Sequence, residues 1–281
     1  MEKPISANAR TLAILKKHGM SAKKGFGQNF IIDPSVVEKI ARLSQIDASS
    51  HVIEVGPGIG ALTEQLAKIA NSVTAFEIDP RCIEVLADTL SPYPNVKVIL
   101  KDFLTVTAHD LPEGELTLCA NLPYYVTTPI LFHIIEKLPS ITSFTIMVQK
   151  EVADRFVAKP STKDYNALSL IVQTLFEVKT VMNVSKAVFL PRPNVDSAVV
   201  RFTRKDTIPV DNPDRFFKLV KTGFTQRRKT LANNLKELAS TEFVLAKLNQ
   251  AKLNENIRAE ALTLADFIRL YEVWYENESV R

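Results

Sequence analysis

Short, almost uninterrupted apolar runs punctuate the first two-thirds of the chain: Val52-Ile53-Glu54-Val55, Val73 to Phe76, Val96 to Leu100, Leu116 to Ala120 and Phe144 to Val148. Their length and composition predict buried parallel strands. Between them the apolar period lengthens to that of a helix. Val36, Val37, Ile40 and Leu43 recur at helical spacing behind Asp33 as N-cap and Pro34 as first helical residue. Further helices are predicted over 61–70, 81–90, 130–138, 151–157 and 167–176. Val178 to Val184 and Ser197 to Phe202 close the series as two late strands. Alternating strand and helix predict a doubly wound α/β sheet. A polar stretch, Arg204 to Pro209, reads as a linker. Beyond it the pattern is helical throughout, over 213–222, 228–238, 243–248 and 264–275. The expected organisation is an α/β domain over 1–205 and a small all-α domain over 210–281.

Several positions in this framework carry chemistry. Val52 to Val55 runs straight into Gly56-Pro57-Gly58-Ile59-Gly60, then a helix, then a strand ending in Glu77-Ile78-Asp79. Glycines let a ligand approach the backbone at a helix N-terminus, and an acid about 20 residues on can bind ribose hydroxyls. The glycines are spaced GxGxG and not GxGxxG, so the dinucleotide fingerprint with its pyrophosphate cradle is not met. S-adenosylmethionine has no phosphate and fits the departure. Asp102, after Val96 to Leu100, is either a turn cap or an acceptor for a cofactor adenine amine.

Leu116 to Ala120 leads into Asn121-Leu122-Pro123-Tyr124-Tyr125. Read blandly, this is a turn after a strand. Read chemically, it suits a flipped-out adenine. The Asn121 side-chain oxygen and the Leu122 or Pro123 carbonyl would accept both N6 hydrogens, and Tyr124 would offer a face to the base. The loop Val188-Phe189-Leu190-Pro191-Arg192-Pro193-Asn194-Val195-Asp196 is stiffened by two prolines. Phe189 either covers the other face of the base or anchors a surface loop. Arg192 could meet phosphate.

Composition is that of a globular protein, with 46% hydrophobic and 23% charged residues. The net charge of +4 permits an anionic partner without requiring one. Basic residues gather in the first 30 positions, including Lys23 and Lys24, where a solvated basic helix is the plainer reading, and again at Arg227, Arg228 and Lys229. Cys82 and Cys119 have no CxxC partner or neighbouring His, so neither zinc nor a disulfide framework is expected. No apolar run is long enough to span a bilayer, and no signal-peptide core is found at the N-terminus. A cytoplasmic location is expected.

With Phe26-Gly27-Gln28-Asn29-Phe30, Glu54 to Gly60, Asn121 to Tyr124, Phe189 to Ser197 and Phe224 to Leu231 in that order, the chain resembles the KsgA/RsmA ribosomal RNA adenine N6,N6-dimethyltransferases. The likeness runs from about Ala22 to the last helix. It implies a Rossmann-like class I S-adenosylmethionine-dependent methyltransferase domain with a small all-α C-terminal domain. It implies S-adenosyl-L-methionine as donor, held by Asn29, Ile31, Gly56, Glu77, Asp102 and Asn121. Asn121, Leu122, Pro123 and Tyr124 would hold the base, with Phe189 on its other face. Lys23, Lys24, Arg192, Arg227, Arg228 and Lys229 are the candidate RNA contacts. The implied substrate is two adjacent adenosines in the 3′-terminal hairpin of small-subunit (16S) rRNA, in an assembling 30S subunit, with the protein a monomer. Ile31 stands where the family usually has leucine, a swap that should matter little. Rival readings are an Erm-type large-subunit (23S) rRNA dimethyltransferase, a non-catalytic RNA-binding assembly factor, and a nicotinamide dehydrogenase. The GxGxG spacing counts against the last.

Overall fold

A computed structural model describes residues 3–21 and 28–276. In chain order it contains α1 (Asn8–Lys17), β1 (Phe30–Ile31), α2 (Pro34–Leu43), β2 (His51–Val55), α3 (Ala61–Ala67), β3 (Ser72–Glu77), α4 (Pro80–Thr89), β4 (Val96–Leu100), β5 (Leu116–Asn121), α5 (Thr127–Lys137) and β6 (Ile141–Gln149). There follow α6 (Lys150–Phe156), α7 (Ala167–Leu175), β7 (Phe176–Val184), β8 (Phe189–Leu190), β9 (Ser197–Arg204), α8 (Pro213–Gly223), α9 (Leu231–Leu235), α10 (Thr241–Gln250) and α11 (Leu264–Tyr275). Two compact units result: Met1–Ala153 with Lys179–Thr203, and Asp154–Val178 with Arg204–Arg281. The second thus takes in a segment, 154–178, that the hydrophobic pattern alone assigns to the sheet domain.

The seven predicted strands form one sheet in the order β4-β3-β2-β5-β6-β9-β7. Strands β4 through β6 pair in parallel, and β9 runs antiparallel to β6. The chain steps outward from β2 to β4, then returns to the other side of β2 as β5. The strand order therefore reverses at β2, and ligands bind at the carboxyl ends of strands at such a reversal. The central strands are apolar because helices cover both faces. Val52, Cys119 and Val199 bury themselves with Val37 and Ile40 of α2 and Leu66 of α3. Elsewhere Ile59 and Ala61 pack with Cys82, Val85 and Leu86 of α4 and with Ile5 and Ile14 from the N-terminal segment.

That segment is pinned as well as packed. The Ile5 N–H and the Tyr93 hydroxyl donate to the Glu64 carboxylate at 2.9 and 3.1 Å. Lys17 and His18 reach Asp88 at 2.7 and 2.9 Å. Part of the N-terminal basic cluster is therefore spent on intramolecular acids, which the sequence reading as a solvated helix does not anticipate.

In the second unit, Tyr165 is buried and its hydroxyl donates to the Leu262 carbonyl at 2.8 Å. Phe224 stacks on Phe267 with ring centroids 5.8 Å apart. The helix expected over 228–238 is shorter. It starts at Leu231, because the Thr230 side chain caps it by accepting the Asn233 N–H at 3.3 Å. Arg227, Arg228 and Lys229 consequently lie in a turn ahead of α9.

Candidate functional site

The carboxyl ends of β2, β3, β4 and β5 enclose a cavity of about 260 Å³. Asn29, Ile31, Gly56, Glu77, Asp102, Asn121, Leu122, Pro123 and Tyr124 all line it. Five chain segments far apart in sequence thus meet at the strand ends.

The glycine turn is held from both sides. The Gly56 N–H donates to the Phe76 carbonyl at 2.9 Å, continuing the β2–β3 ladder by one residue. Gly60 has φ +90°, and a Cβ there would meet the Leu90 side chain at 3.0 Å. Both features require glycine. A Cβ on Gly56 would meet nothing within 4 Å, so the space in front of this turn is open to a ligand.

Glu77 ends β3 and is 5% exposed. One of its oxygens accepts the Ile78 and Asp79 N–H groups at 2.9 and 2.8 Å, and the other accepts the Gly58 N–H at 3.1 Å. The acid therefore ties the glycine turn to the end of β3. Burial pushes its pKa upward, and the three N–H groups pull it back. A carboxylate has about four lone-pair sites, so one acceptor position remains for a ligand hydroxyl.

Asp102 is the turn cap of the sequence reading and also faces the cavity. It caps the short turn 103–105 by accepting the Leu104 N–H at 2.9 Å, and it lines the cavity. Around Asn121 the arrangement is selective. The Leu122 N–H donates to the Met147 carbonyl at 3.2 Å, fixing the end of β5 to β6. The Pro123 carbonyl accepts the Val126 N–H at 3.2 Å and the Thr127 hydroxyl at 3.4 Å. It is thereby used up in the turn that starts α5. The Tyr124 hydroxyl is 2.8 Å from that of Ser197, which sets the ring in place, and burial raises the phenol's pKa.

Phe189 is not brought to the cavity. Its side chain is 3% exposed and packs in the core with Ile31 and Val36. The reason is a short ladder absent from the sequence reading: β1 and β8 pair antiparallel, with Ile31 opposite Phe189. Two residues on each side are too few to give a period-two signal. The loop-anchor reading describes Phe189 here. Among the described residues the exposed aromatic at the cavity is instead Tyr125, 58% exposed.

Lys23 and Lys24, with Phe26 and Gly27 of the N-terminal motif, lie outside the described residues. Gln28 donates to Asp79 at 2.9 Å and so places the described part of that motif against the end of β3. Arg192, Arg228 and Lys229 are exposed. Arg227 is engaged within its own unit. Its guanidinium donates to the Lys163 carbonyl at 2.7 Å and lies 3.6 Å from Glu260. Ile78 and Leu104, 47% and 37% exposed, also line the cavity without having been singled out in the sequence. Their signal was position: each lies one or two residues past a strand-end acid.

Among the described residues no group of three or more His, Cys, Asp or Glu is arranged to hold a metal. None of their helices is long and apolar enough to cross a membrane. Cys82 and Cys119 are both buried and unbridged.

Comparison with known proteins gives this geometry a family. The chain is 46% identical over 286 residues to a ribosomal RNA small subunit methyltransferase A of Bacillus pumilus, covering 97% of this chain and 98% of that one. A protein of the same name from Enterococcus faecalis is 45% identical, covering 99% of each. A dimethyladenosine transferase structure from Plasmodium falciparum superimposes with a TM-score of 0.78 at 25% identity, over 89% of this chain and 98% of that one. The 23S rRNA methyltransferase ErmE gives 0.70 at 30% identity, over 87% and 98%. A family model described as ribosomal RNA adenine dimethylase matches residues 19–276, and the chain belongs to that family.

Proposed function

We propose that this protein dimethylates N6 of two adjacent adenosines in the 3′-terminal hairpin of small-subunit rRNA, with S-adenosylmethionine as donor. The observation that carries the reading is Asn121, whose amide ends β5 inside the cavity beside the glycine turn and Glu77. The small-subunit relatives match at 46% and 45%, against 30% for ErmE, and this favours the small subunit over the large.

The cavity suits the donor by its chemistry. An open glycine turn, a buried acid with one free acceptor position, and the apolar pair Ile78 and Leu104 match an amino-acid tail, a ribose and an adenine. Glu77 would hold the ribose hydroxyls and Asp102 the adenine amine. Asn29, Ile31 and Gly56 would flank the donor. When bound, S-adenosylmethionine supplies a methyl group on a positively charged sulfur.

Because the Pro123 carbonyl is committed to its turn, Asn121 Oδ1 and the Leu122 carbonyl are the pair left to accept the two N6 hydrogens. Two acceptors that draw the N–H bonds aside would localise on N6 the lone pair otherwise delocalised into the ring and aim it at the donor methyl, and positioning of this kind is a large part of the rate. Tyr124 supplies a face for the base, worth roughly 1–3 kcal/mol. A once-methylated amine keeps a single hydrogen, so the second transfer proceeds with one acceptor contact fewer.

The substrate we propose is an assembled or partly assembled small subunit in the cytoplasm, met by a monomer. A net charge of +4 is weak for tight binding to naked RNA, where phosphate contacts dominate. Arg192 and the Arg228-Lys229 turn are exposed and distant in sequence, and sequence-specific RNA recognition favours loops and splayed bases over one continuous duplex. The test compares labelled methyl transfer into unmethylated small subunits, large subunits and the isolated hairpin at about 0.15 M salt. Small subunits should be labelled fastest. Equal rates on hairpin and subunit would remove the assembled-substrate reading, and label in large subunits alone would point to the Erm-type activity.

A further inference from the structure

Of the two buried acids that line the cavity among the described residues, Glu54 and Glu77, the proposed mechanism leaves Glu54 unused. Glu54 is the penultimate residue of β2, 1% exposed, in the wall of the donor cavity. Its neighbours in the sheet are β3, which ends in Glu77, and β5, which ends in Asn121. It therefore lies between the acid proposed for the ribose and the amide proposed for the transfer point. Glu54 Oε2 is buried with no hydrogen-bond partner among the described residues. The Thr63 hydroxyl of α3 faces it and pulls its pKa partly back, but forms no hydrogen bond of normal geometry with it. Among the described residues the titratable groups facing it are the Glu77 carboxyl from β3 and the Cys119 thiol from β5. Neither brings positive charge.

We infer that Glu54 is the counter-charge for the cationic part of the donor, and that the donor enters as the Glu54 proton leaves. The inference rests on the donor assignment above. An unpaired carboxylate in a closed wall is held neutral by a proton, since burying a lone charge is costly. The donor carries a sulfonium, an ammonium and a carboxylate, net +1. As it enters, the Glu54 O–H bond breaks, the proton passes to the buffer, and the wall becomes −1 opposite the donor's charge. Burial, with Glu77 adding to it, already lifts the acid to about 8 in the empty protein. About nine-tenths of molecules therefore hold the proton at pH 7.

The experiment is calorimetric titration of the full chain with S-adenosylmethionine in buffers of different ionisation enthalpy, which counts protons released. Wild type should release up to one proton more per donor at pH 7 than Glu54→Gln. Glu77 is common to both proteins, so the difference reads Glu54 together with its coupling to Glu77. The wild-type Kd should tighten up to tenfold per pH unit between pH 6 and about 7.5 and level off above pH 8, while the variant loses that part of the slope. S-adenosylhomocysteine keeps the ammonium and lacks the sulfonium. Glu54-dependent release with both ligands assigns the counter-charge to the ammonium, and release with S-adenosylmethionine alone assigns it to the sulfonium. Donor binding with equal release by wild type and variant overturns the inference and leaves the donor assignment standing. No binding of S-adenosylmethionine at all overturns both. Should the variant fail to fold, a wild-type Kd independent of pH from 6 to 8 is by itself the overturning result.

Discussion

Replacing Glu77 by Gln separates its two jobs. In the protein, one Glu77 oxygen serves the Ile78 and Asp79 N–H groups, and the other serves the Gly58 N–H at 3.1 Å. Glutamine keeps one acceptor and turns the other into a donor. If the amide oxygen stays with Ile78 and Asp79, the new NH₂ faces the Gly58 N–H and a ligand hydroxyl. Hydrogen bonds to a charged acceptor are worth about 1.5–3 kcal/mol, and an orphaned buried N–H costs about 1–3 kcal/mol. The loss of the ribose contact alone should raise the donor Kd by roughly 10- to 150-fold. The orphaned Gly58 N–H should lower stability by about 1–3 kcal/mol, partly offset because glutamine has no buried charge to desolvate. Glu77→Ala strands all three N–H groups and should lower stability further. Calorimetry gives the Kd and thermal melting without donor gives the stability. A Gln variant that binds donor with the wild-type Kd would refute the ribose role, whatever its melting temperature.

Asn121→Ala should bind donor nearly normally and lose most turnover, and single-turnover labelling alongside calorimetry checks both halves. Glu54→Gln should be more stable than wild type near pH 8, by up to a few kcal/mol. The Glu54 pKa of about 8 lies above its ordinary 4.5, so the stability its proton contributes is full below pH 4.5 and lost as pH rises toward 8. Melting curves from pH 5 to 8 should diverge accordingly, and parallel curves would contradict it. Gly60→Ala places a Cβ 3.0 Å from Leu90 at φ +90° and should cost about 1–3 kcal/mol, read as a lowered midpoint in urea. Arg228→Glu should weaken small-subunit binding and spare donor binding. Arg227 is a poor choice for that test because its guanidinium holds 163–165 and Glu260 within the second unit.

Much of this was legible in the chain because the α/β pattern is loud. Runs such as Leu116 to Ala120 can be buried only between two helical layers, and the glycine turn announces where the first crossover meets a ligand. Asn121 and Glu77 were found because each ends such a run. What escaped depends on contacts that have no local signature. The β1–β8 ladder is two residues long, and it takes Phe189 into the core. Segment 154–178 joins the second unit through Tyr165 and the Ser161 N–H, which donates to the Glu260 carbonyl at 2.7 Å, and neither is periodic in sequence. Choosing the Leu122 carbonyl over that of Pro123 needed the turn's own hydrogen bonds. Glu54 sat inside an apolar run and read as part of a strand. Its significance comes from Oε2 having no partner among the described residues, which only the folded chain reveals.

The chemical identity and position of the product decide whether this protein dimethylates small-subunit adenosines. Small subunits from a strain lacking this protein are incubated with it and methyl-labelled S-adenosylmethionine, and the rRNA is digested and read by mass spectrometry. The expected product is four methyl groups per subunit, as two N6,N6-dimethyladenosines at neighbouring positions in the 3′-terminal hairpin of the small-subunit rRNA, with most of that label lost in Asn121→Ala. Label confined to large-subunit rRNA, or to a single adenosine, would contradict it.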